Sequence, residues 1–159
     1  RLTVFLNPSI DPLGAGYNVI QSSIAVGSGG FFGKGYLQGM QSKLHFLPEP
    51  HTDFIFSVFA EEFGFIGTLL LIIFLLLVLW RIFNAGRNVR DIRVKYFVVM
   101  IAAWLFFQST ECIAMSIGLM PVTGLPFPFI SYGGSSLLSI FLSLGIIASI
   151  QLSTVKIFK

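Results

Sequence analysis

Three long stretches of the chain carry almost no charge. Residues 63–80 and 137–155 contain no charged side chain, and residues 96–120 contain one, Glu111. A helix needs about 20 mostly apolar residues to cross the hydrocarbon core of a bilayer. The pattern therefore predicts three transmembrane helices, preceded by a long and more polar arm.

Basic residues cluster beside two of the predicted membrane crossings and set the orientation. Lysine and arginine mark the cytoplasmic segments of membrane proteins. We therefore predict that residues 1–52 and the loop at 121–136 lie on the extracytoplasmic side of the membrane. The inner segments carry Arg81, Arg87, Arg90, Arg93 and Lys95 after the first stretch, and Lys156 and Lys159 after the third.

The predicted fold is an all-α, multi-pass membrane protein in which a long extracytoplasmic loop precedes three transmembrane helices. The predicted boundaries are an outer loop at 1–57, helices at 58–82, 96–119 and 135–155, a cytoplasmic basic loop at 83–95, an outer Pro/Gly loop at 120–134 and a cytoplasmic tail at 156–159.

Composition excludes several other classes of protein. Hydrophobic residues make up 55% of the 159 residues and charged residues 11%, whereas a typical soluble domain is about 25% charged. Disordered, collagen-like and coiled-coil chains are excluded. The single cysteine, Cys112, excludes a disulfide within the chain, and no zinc-site spacing occurs in the sequence. Because the first residue is Arg1 rather than Met, we expect the sequence to be part of a longer chain.

The outer arm contains six glycines among residues 27–39. Glycine allows positive φ angles and close approach of backbones. This run predicts a shaped loop, with a short helix at 19–26 lying on the membrane surface before it. The run fails the phosphate-loop pattern, so no nucleotide is expected; backbone N–H groups facing an anion are a less favoured alternative to a structural loop. The predicted loop-shaping residues are Gly27, Gly29, Gly30, Gly33 and Gly35.

Asp53 is the carboxylate with the most suggestive position, at the mouth of the first transmembrane helix. One interpretation is a general base or a metal ligand at the outer face. The other is an N-cap, a role that Thr52 could also fill, because Asp and Thr are common at helix N-termini. The residues leave both interpretations open.

Two further features indicate a polar cavity. Glu111 lies inside the second apolar stretch, where an acid usually marks a functional or paired site. Residues 120–136 contain three prolines and three glycines, and irregular backbone at membrane depth is tolerated only where it is buried in protein or lines a cavity. This segment is either a re-entrant cavity lining, which would offer the hydroxyls of Ser131 and Tyr132, or an ordinary loop. The residues by themselves name no reaction.

Three long motifs resemble those of one family. They are FLNPSIDPLGAGYNVIQSSIAVGSGGFFGKG at 5–35, HFLPEPHTDFIFSVFAEEFGFIG at 45–67 and PVTGLPFPFISYGGSS at 121–136. They are similar to signatures of the SEDS family (shape, elongation, division and sporulation), the membrane peptidoglycan glycosyltransferases of bacteria. The stretches DPLGAGY, GKG and GMQSKLHFLPE make the chain more similar to RodA, the elongation member, than to FtsW, the division member.

The resemblance implies a ten-helix fold in the bacterial inner membrane, of which this sequence would carry the large outer loop and helices eight to ten. It also implies polymerisation of lipid II, the undecaprenyl-linked disaccharide pentapeptide, into β-1,4-linked glycan during cell elongation and shape maintenance. The essential acid of the family falls on Asp53, which would be the general base of this inverting transfer. The substrate-binding residues implied with it are Lys43, Glu49, His51, Thr52, Ser131, Tyr132, Gly133 and Gly134.

A cofactor and partners are implied by the same resemblance. The cofactor is a divalent metal ion, Mg or Mn, for which Asp53 and Glu49 are candidate ligands. Lys34 or Lys43 is an alternative for offsetting the charge of the leaving pyrophosphate. The partners are lipid II, a class B penicillin-binding protein transpeptidase and other elongation-complex proteins, with no nucleic acid.

Two rival functions are a flippase or transporter of the lipid-linked precursor and a non-catalytic scaffold for the penicillin-binding protein. The position of the critical acid discriminates between polymerase and flippase. A polymerase needs it at the outer surface, where Asp53 is predicted. An ion-coupled flippase needs it within the membrane, where Glu111 is predicted.

Overall fold

The computed structural model describes residues 15–39, 52–87, 89 and 91–157. This part of the chain contains no strand, and the all-α prediction is confirmed for it. Its four helices are α1 (Ala15–Ser28), α2 (Ile55–Arg87), α3 (Ile92–Ser116) and α4 (Gly134–Ile157).

Three of these helices are long and apolar enough to cross a membrane: α2, α3 and the Gly134–Gln151 part of α4. The main difference from the predicted boundaries is at the connection between α2 and α3. Residues 83–87 continue α2 instead of opening a loop. Asp91 starts α3 early, because its carboxylate accepts the backbone N–H of Arg93 at 2.9 Å as an N-cap. The basic residues therefore lie largely on two helix ends.

The end of α3 is determined by Gly118, which has a φ of 77°. The N–H groups of Gly118 and Leu119 donate to the carbonyls of Met115 at 3.1 Å and Ala114 at 2.8 Å. This pair of bonds is a Schellman motif, which needs a residue with positive φ and is usually closed by glycine. The irregular segment at 120–133 begins after it.

One apolar cluster joins α2, α3 and α4. The helices α2 and α3 approach closely at Gly86, where a Cβ atom would lie 3.0 Å from Cγ1 of Val98. Small residues favour such contacts in membranes, because apolar lipid provides no hydrophobic drive for helix association. The buried members of the cluster are Ile82, Val98, Ile101, Leu105, Ile140 and Ile147.

Buried serines attach α1 to α2 and α3. The hydroxyl of Ser22 donates to the carbonyl of Ser116 at 2.7 Å and shares a 2.6 Å hydrogen bond with the hydroxyl of Ser57. Hydrogen bonds of this kind across membrane helices are typically worth about 0.6 kcal/mol each. The surface helix predicted at 19–26 is therefore longer than expected and is anchored on two membrane-spanning helices.

The glycine-rich loop fills a break in α2. Gly64 interrupts the helical conformation with φ 66° and ψ −163°. The N–H groups of Phe65 and Ile66 donate to the loop carbonyls of Gly30 at 2.8 Å and Phe31 at 3.2 Å. The loop thus satisfies backbone groups that the break in α2 would leave unpaired.

The loop also pairs with α2 on the N-terminal side of the break. The N–H groups of Lys34 and Gly35 donate to the carbonyls of Glu61 and Glu62, each at 3.0 Å. These N–H groups are therefore used inside the protein, which favours the structural interpretation of the loop over an anion site. Gly33 lies so close to the backbone of α2 that an added Cβ would overlap the Glu62 carbonyl.

The predicted loop-shaping glycines differ in what they do. Gly29 and Gly33 let the loop backbone touch α2. Gly30 and Gly35 adopt positive φ angles of 55° and 101°. Gly27 shapes no loop: it lies within α1, with open space where a Cβ would be.

Candidate active site

Asp53 lies in the turn that leads into α2, one residue before the N-cap position. The carbonyl of Phe54 accepts the N–H groups of Ser57 at 3.0 Å and Val58 at 3.2 Å, which makes Phe54 the N-cap residue. Within the described residues, the hydrogen bond that reaches Asp53 goes to its main-chain carbonyl. Its half-buried carboxylate is therefore not used for capping.

The main chain of this turn is held by two other parts of the protein. The hydroxyl of Ser131 donates to the carbonyl of Thr52 at 2.8 Å and accepts the N–H of Phe127 at 2.7 Å. The thiol of Cys112 on α3 makes a weak contact, at 3.9 Å, with the carbonyl of Asp53. A reactive side chain needs support of this kind to hold its geometry.

The irregular segment passes directly beside the Asp53 carboxylate at Gly124. Gly124 has a φ of 76°, and a Cβ atom on it would lie 3.3 Å from Oδ2 of Asp53. The segment is held nearby because the side-chain amide of Gln108 donates to the carbonyl of Pro126 at 2.8 Å. The sequence prediction missed both Gly124 and Gln108 as site residues. The sequence features that could have indicated them are the position of Gly124 among prolines and the presence of an amide side chain, Gln108, in an apolar stretch.

The floor beneath the turn is apolar. Phe56, Cys112 and Phe127 form one buried cluster, and the two phenyl rings stack with centroids 6.0 Å apart. Because the thiol of Cys112 contacts the carbonyl of Asp53, this apolar cluster lies directly against the turn.

The other predicted substrate-binding residues have different surroundings. Ser131 is 3% exposed and its hydroxyl is used within the protein, so it bridges segments instead of facing a head group. Tyr132 is 85% exposed. The carbonyl of Gly133 accepts the hydroxyl of Ser136 at 2.9 Å, and Gly134 begins α4. Lys43, Glu49 and His51 lie outside the described residues.

Lys34 is not a free cation for a pyrophosphate. Its ammonium lies 2.8 Å from Oε1 of Glu61, which is fully buried. This ion pair belongs to the contact between the glycine-rich loop and α2. It is separated from Asp53 by the first two turns of α2.

Glu111 is buried at 8% exposure in α3. Within the part of the chain that the structure describes, its Oε2 has no hydrogen-bond partner, and neither has Oε1 of Gln108 one turn away. The pairing interpretation of Glu111 therefore gains no support from the described residues. Its position inside a membrane-spanning helix agrees with the prediction.

Asp53 fits one mode of metal binding. Mg²⁺ is commonly held by one or two carboxylates together with substrate phosphates and water. The described residues contain no group of three or more His, Cys, Asp or Glu side chains that could hold a metal ion by themselves. A metal ion beside Asp53 would therefore need further ligands from the substrate, from water or from residues outside the described ranges.

The helices and this site define a class of protein: a multi-pass α-helical membrane protein with a supported carboxylate at one end of its membrane-spanning helices. Residues 1–156 match the FTSW_RODA_SPOVE family, described as cell cycle proteins. The chain belongs to this family, and the SEDS resemblance is confirmed.

Similar proteins carry related names. The chain is 43% identical over 151 residues to the peptidoglycan glycosyltransferase RodA of Treponema pallidum, covering 95% of this chain and 35% of that protein. It is 45% identical over 155 residues to the peptidoglycan glycosyltransferase MrdB of Escherichia coli K12, covering 95% and 41%. A probable peptidoglycan glycosyltransferase FtsW of Coxiella burnetii is 46% identical over 157 residues, covering 97% and 42%. The chain thus spans about two fifths of the length of these relatives.

A solved structure has the same fold. It is described as "Structural coordination of polymerization and crosslinking by a peptidoglycan synthase complex". Its match has a TM-score of 0.75 at 36% identity and covers 97% of this chain and 41% of the matched chain. The fold of this chain therefore matches that of about two fifths of the chain in that structure.

Proposed function

We propose that the full-length protein is a peptidoglycan glycosyltransferase that polymerises lipid II, with Asp53 as its general base. The observation that carries this proposal is the Asp53 carboxylate, which is held by its backbone at a helix mouth and is not used for capping. The names of the RodA and MrdB relatives support the reaction class. The role in elongation rests on the RodA-like stretches DPLGAGY, GKG and GMQSKLHFLPE.

The proposed chemistry needs a base at this place. The 4-hydroxyl of the incoming N-acetylglucosamine attacks the anomeric carbon of the lipid-linked sugar, and the Asp53 carboxylate takes its proton. The bond to the pyrophosphate lipid breaks, and the configuration inverts from α to β. Gly124 presents only backbone beside Oδ2, which leaves room for the hydroxyl.

A divalent metal and a protein partner complete the proposal. Asp53 would hold Mg or Mn together with Glu49 and the substrate, and the metal would offset charge on the pyrophosphate. The partner would be a class B penicillin-binding protein, which fits the coupling of polymerisation and crosslinking named for the structural relative. The substrate surface would include the exposed Tyr132.

The function is tested by supplying lipid II to the purified full-length protein with its penicillin-binding partner and separating glycan strands by gel. A polymerase makes long strands. A flippase moves lipid II between leaflets without joining it, and a scaffold changes only the partner's crosslinking.

In the polymerase, Glu111→Gln is expected to retain most strand synthesis, whereas loss of function in a folded Glu111→Gln protein would favour the flippase.

The proposed orientation puts the 120–133 segment outside and the α2–α3 connection in the cytoplasm. We expect Thr123→Cys to react with a membrane-impermeant maleimide in intact spheroplasts, and Arg87→Cys to react only after permeabilisation. Both positions are exposed, and the native Cys112 is buried. Labelling at position 87 together with protection at position 123 in intact spheroplasts would mean that the true orientation is the opposite of the proposed one.

Gly124→Ala is expected to lower the rate of strand synthesis by up to about 10-fold, because Oδ2 of Asp53 must move by a few tenths of an ångström and a shift of about 1 Å at a reacting group costs about 10²-fold. The added Cβ pushes against Oδ2 of Asp53. Gly118→Ala is the matched control, since Gly118 has almost the same φ of 77° but lies against Ser23 and Val19. Both variants carry comparable backbone strain, so equal activities would show that the space beside the Asp53 carboxylate at Gly124 does not matter for the reaction.

A further inference from the structure

Two buried side-chain oxygens lie one turn apart on α3. Gln108 is 4% exposed and Glu111 is 8% exposed. Within the described ranges of the chain, Oε1 of Gln108 and Oε2 of Glu111 have no hydrogen-bond partner. Buried polar atoms in folded proteins nearly always have one. Because the two residues are neighbours on one helix, a single arrangement can account for both oxygens.

The orientation of the Gln108 amide is set by its nitrogen. Nε2 donates to the carbonyl of Pro126 at 2.8 Å, so this nitrogen faces the irregular segment at 120–133. A rotated amide would place two oxygens against each other and lose the bond. Oε1 therefore needs its donor from another side chain. Residues three apart on a helix are neighbours whose side chains can form hydrogen bonds, and Glu111 has this spacing from Gln108.

The protonation state of Glu111 decides whether the two oxygens can pair. An ionised carboxylate offers only acceptor atoms, so it cannot bond to the oxygen of an amide. A neutral carboxyl group carries one O–H donor as well. A single proton on Glu111 therefore gives both Oε2 of Glu111 and Oε1 of Gln108 a hydrogen bond.

The surroundings of Glu111 also favour the neutral form. An unpaired charge inside a membrane-spanning helix is costly. Among the described cations, Lys34 is already in an ion pair, and the nearest basic residue on α3, Lys95, is about 24 Å away along the helix. The next residue, Cys112, contacts the main chain of Asp53. An ionised Glu111 would therefore add a second negative charge near the proposed base.

We propose that Glu111 is a positioning residue: a neutral carboxylic acid that donates a hydrogen bond to Oε1 of Gln108. This bond fixes the amide with Nε2 towards Pro126, and so holds the irregular segment whose Gly124 lies beside the Asp53 carboxylate. The expected effect on strand synthesis rests on the proposed function. The protonated carboxyl and its bond to Gln108 do not depend on that function.

The first measurement is the infrared spectrum of the purified full-length protein at neutral pH, in a detergent without ester carbonyls. We expect a C=O stretching band of a protonated carboxylic acid that shifts in D₂O and is absent from Glu111→Gln. Gln108→Leu should move this band to higher frequency, because the hydrogen bond to Oε1 is lost. Asp53→Asn should leave the band in place.

The second measurement is the rate of strand synthesis from lipid II. Glu111→Gln should retain most of the rate, because its amide can still donate to Gln108. Glu111→Met has a similar length but no donor, and it should lower kcat by up to about tenfold with an unchanged KM. One hydrogen bond typically supports a population change of that size. Ser109→Ala is the matched control: it removes a buried hydroxyl that bonds within α3, to the Leu105 carbonyl, and should leave the rate unchanged.

A double variant tests whether the two residues act together. Gln108→Leu should also lower kcat, and adding Glu111→Met to it should cost nothing further, because both changes remove the same hydrogen bond.

Three results would overturn the proposal. Absence of the infrared band from the wild-type protein would mean that Glu111 is ionised and bound by a cation from elsewhere in the full-length chain. Equal rates for Glu111→Gln and Glu111→Met would show that no donor is needed at this position. Additive losses in the double variant would mean that Glu111 and Gln108 act separately. A normal rate for Asp53→Asn would instead contradict the proposed function, and the infrared band would still decide the state of Glu111.

Discussion

Replacing Asp53 by Asn is expected to slow glycan polymerisation by the full-length protein by roughly 10²–10⁴-fold, the usual effect of losing a general base. Asn keeps the size of Asp but cannot accept the proton of the attacking hydroxyl. The measurement is the initial rate of strand formation from lipid II with the penicillin-binding partner present. A rate near that of the wild type would show that Asp53 is not the base.

The fold should survive this change, because Phe54 occupies the N-cap position and the turn is held through main-chain carbonyls. Asp53→Glu should also be slow, by about 10²-fold, because the longer side chain moves its oxygens by about 1 Å. Asp91→Asn is the matched control: it removes an acid from an N-cap at the other end of the hairpin, and Asn caps about as well as Asp. It should leave the rate unchanged.

Gly33→Ala is expected to lower the yield and the thermal stability of the folded protein strongly. Its φ of 78° lies in the left-handed region, which costs an L residue about 1–2 kcal/mol. The added Cβ would also overlap the Glu62 carbonyl, and overpacking of this kind typically costs a further amount of about 1–3 kcal/mol. Since whole domains are stable by only about 5–15 kcal/mol, the combined loss is severe. The measurement is membrane yield and thermal stability in detergent.

Gly30→Ala separates the two causes. Gly30 also has a positive φ, of 55°, but nothing lies within 4 Å of the position that an added Cβ would occupy. Gly30→Ala should lower the free energy of unfolding only by the cost of the positive φ, about 1–2 kcal/mol, and should still give folded protein. If Gly33→Ala is no less stable than Gly30→Ala, the close packing of the loop against the break in α2 contributes little.

Hydrophobic pattern was sufficient to predict the three membrane-spanning helices. A bilayer requires a long apolar helix wherever the backbone crosses it, because every backbone polar group must be paired inside the chain. The requirement is local, so it can be read from consecutive residues. The helix ends were less accurate: the N-cap at Asp91 and the Schellman turn at Gly118 moved them by a few residues.

Sequence motifs also singled out Asp53, but its surroundings depend on residues far away in the chain. Gly124 beside its carboxylate and Ser131 beneath its turn are more than 70 residues later. The same holds for Lys34, whose ammonium pairs with the carboxylate of Glu61 in α2, 27 residues later in the chain. Sequence by itself determined which segments are long and apolar enough to cross a membrane, and it gave Asp53 as the candidate base. Only tertiary structure decided which polar groups are hydrogen-bonded or ion-paired within the protein, because those contacts depend on how helices and loops meet in space.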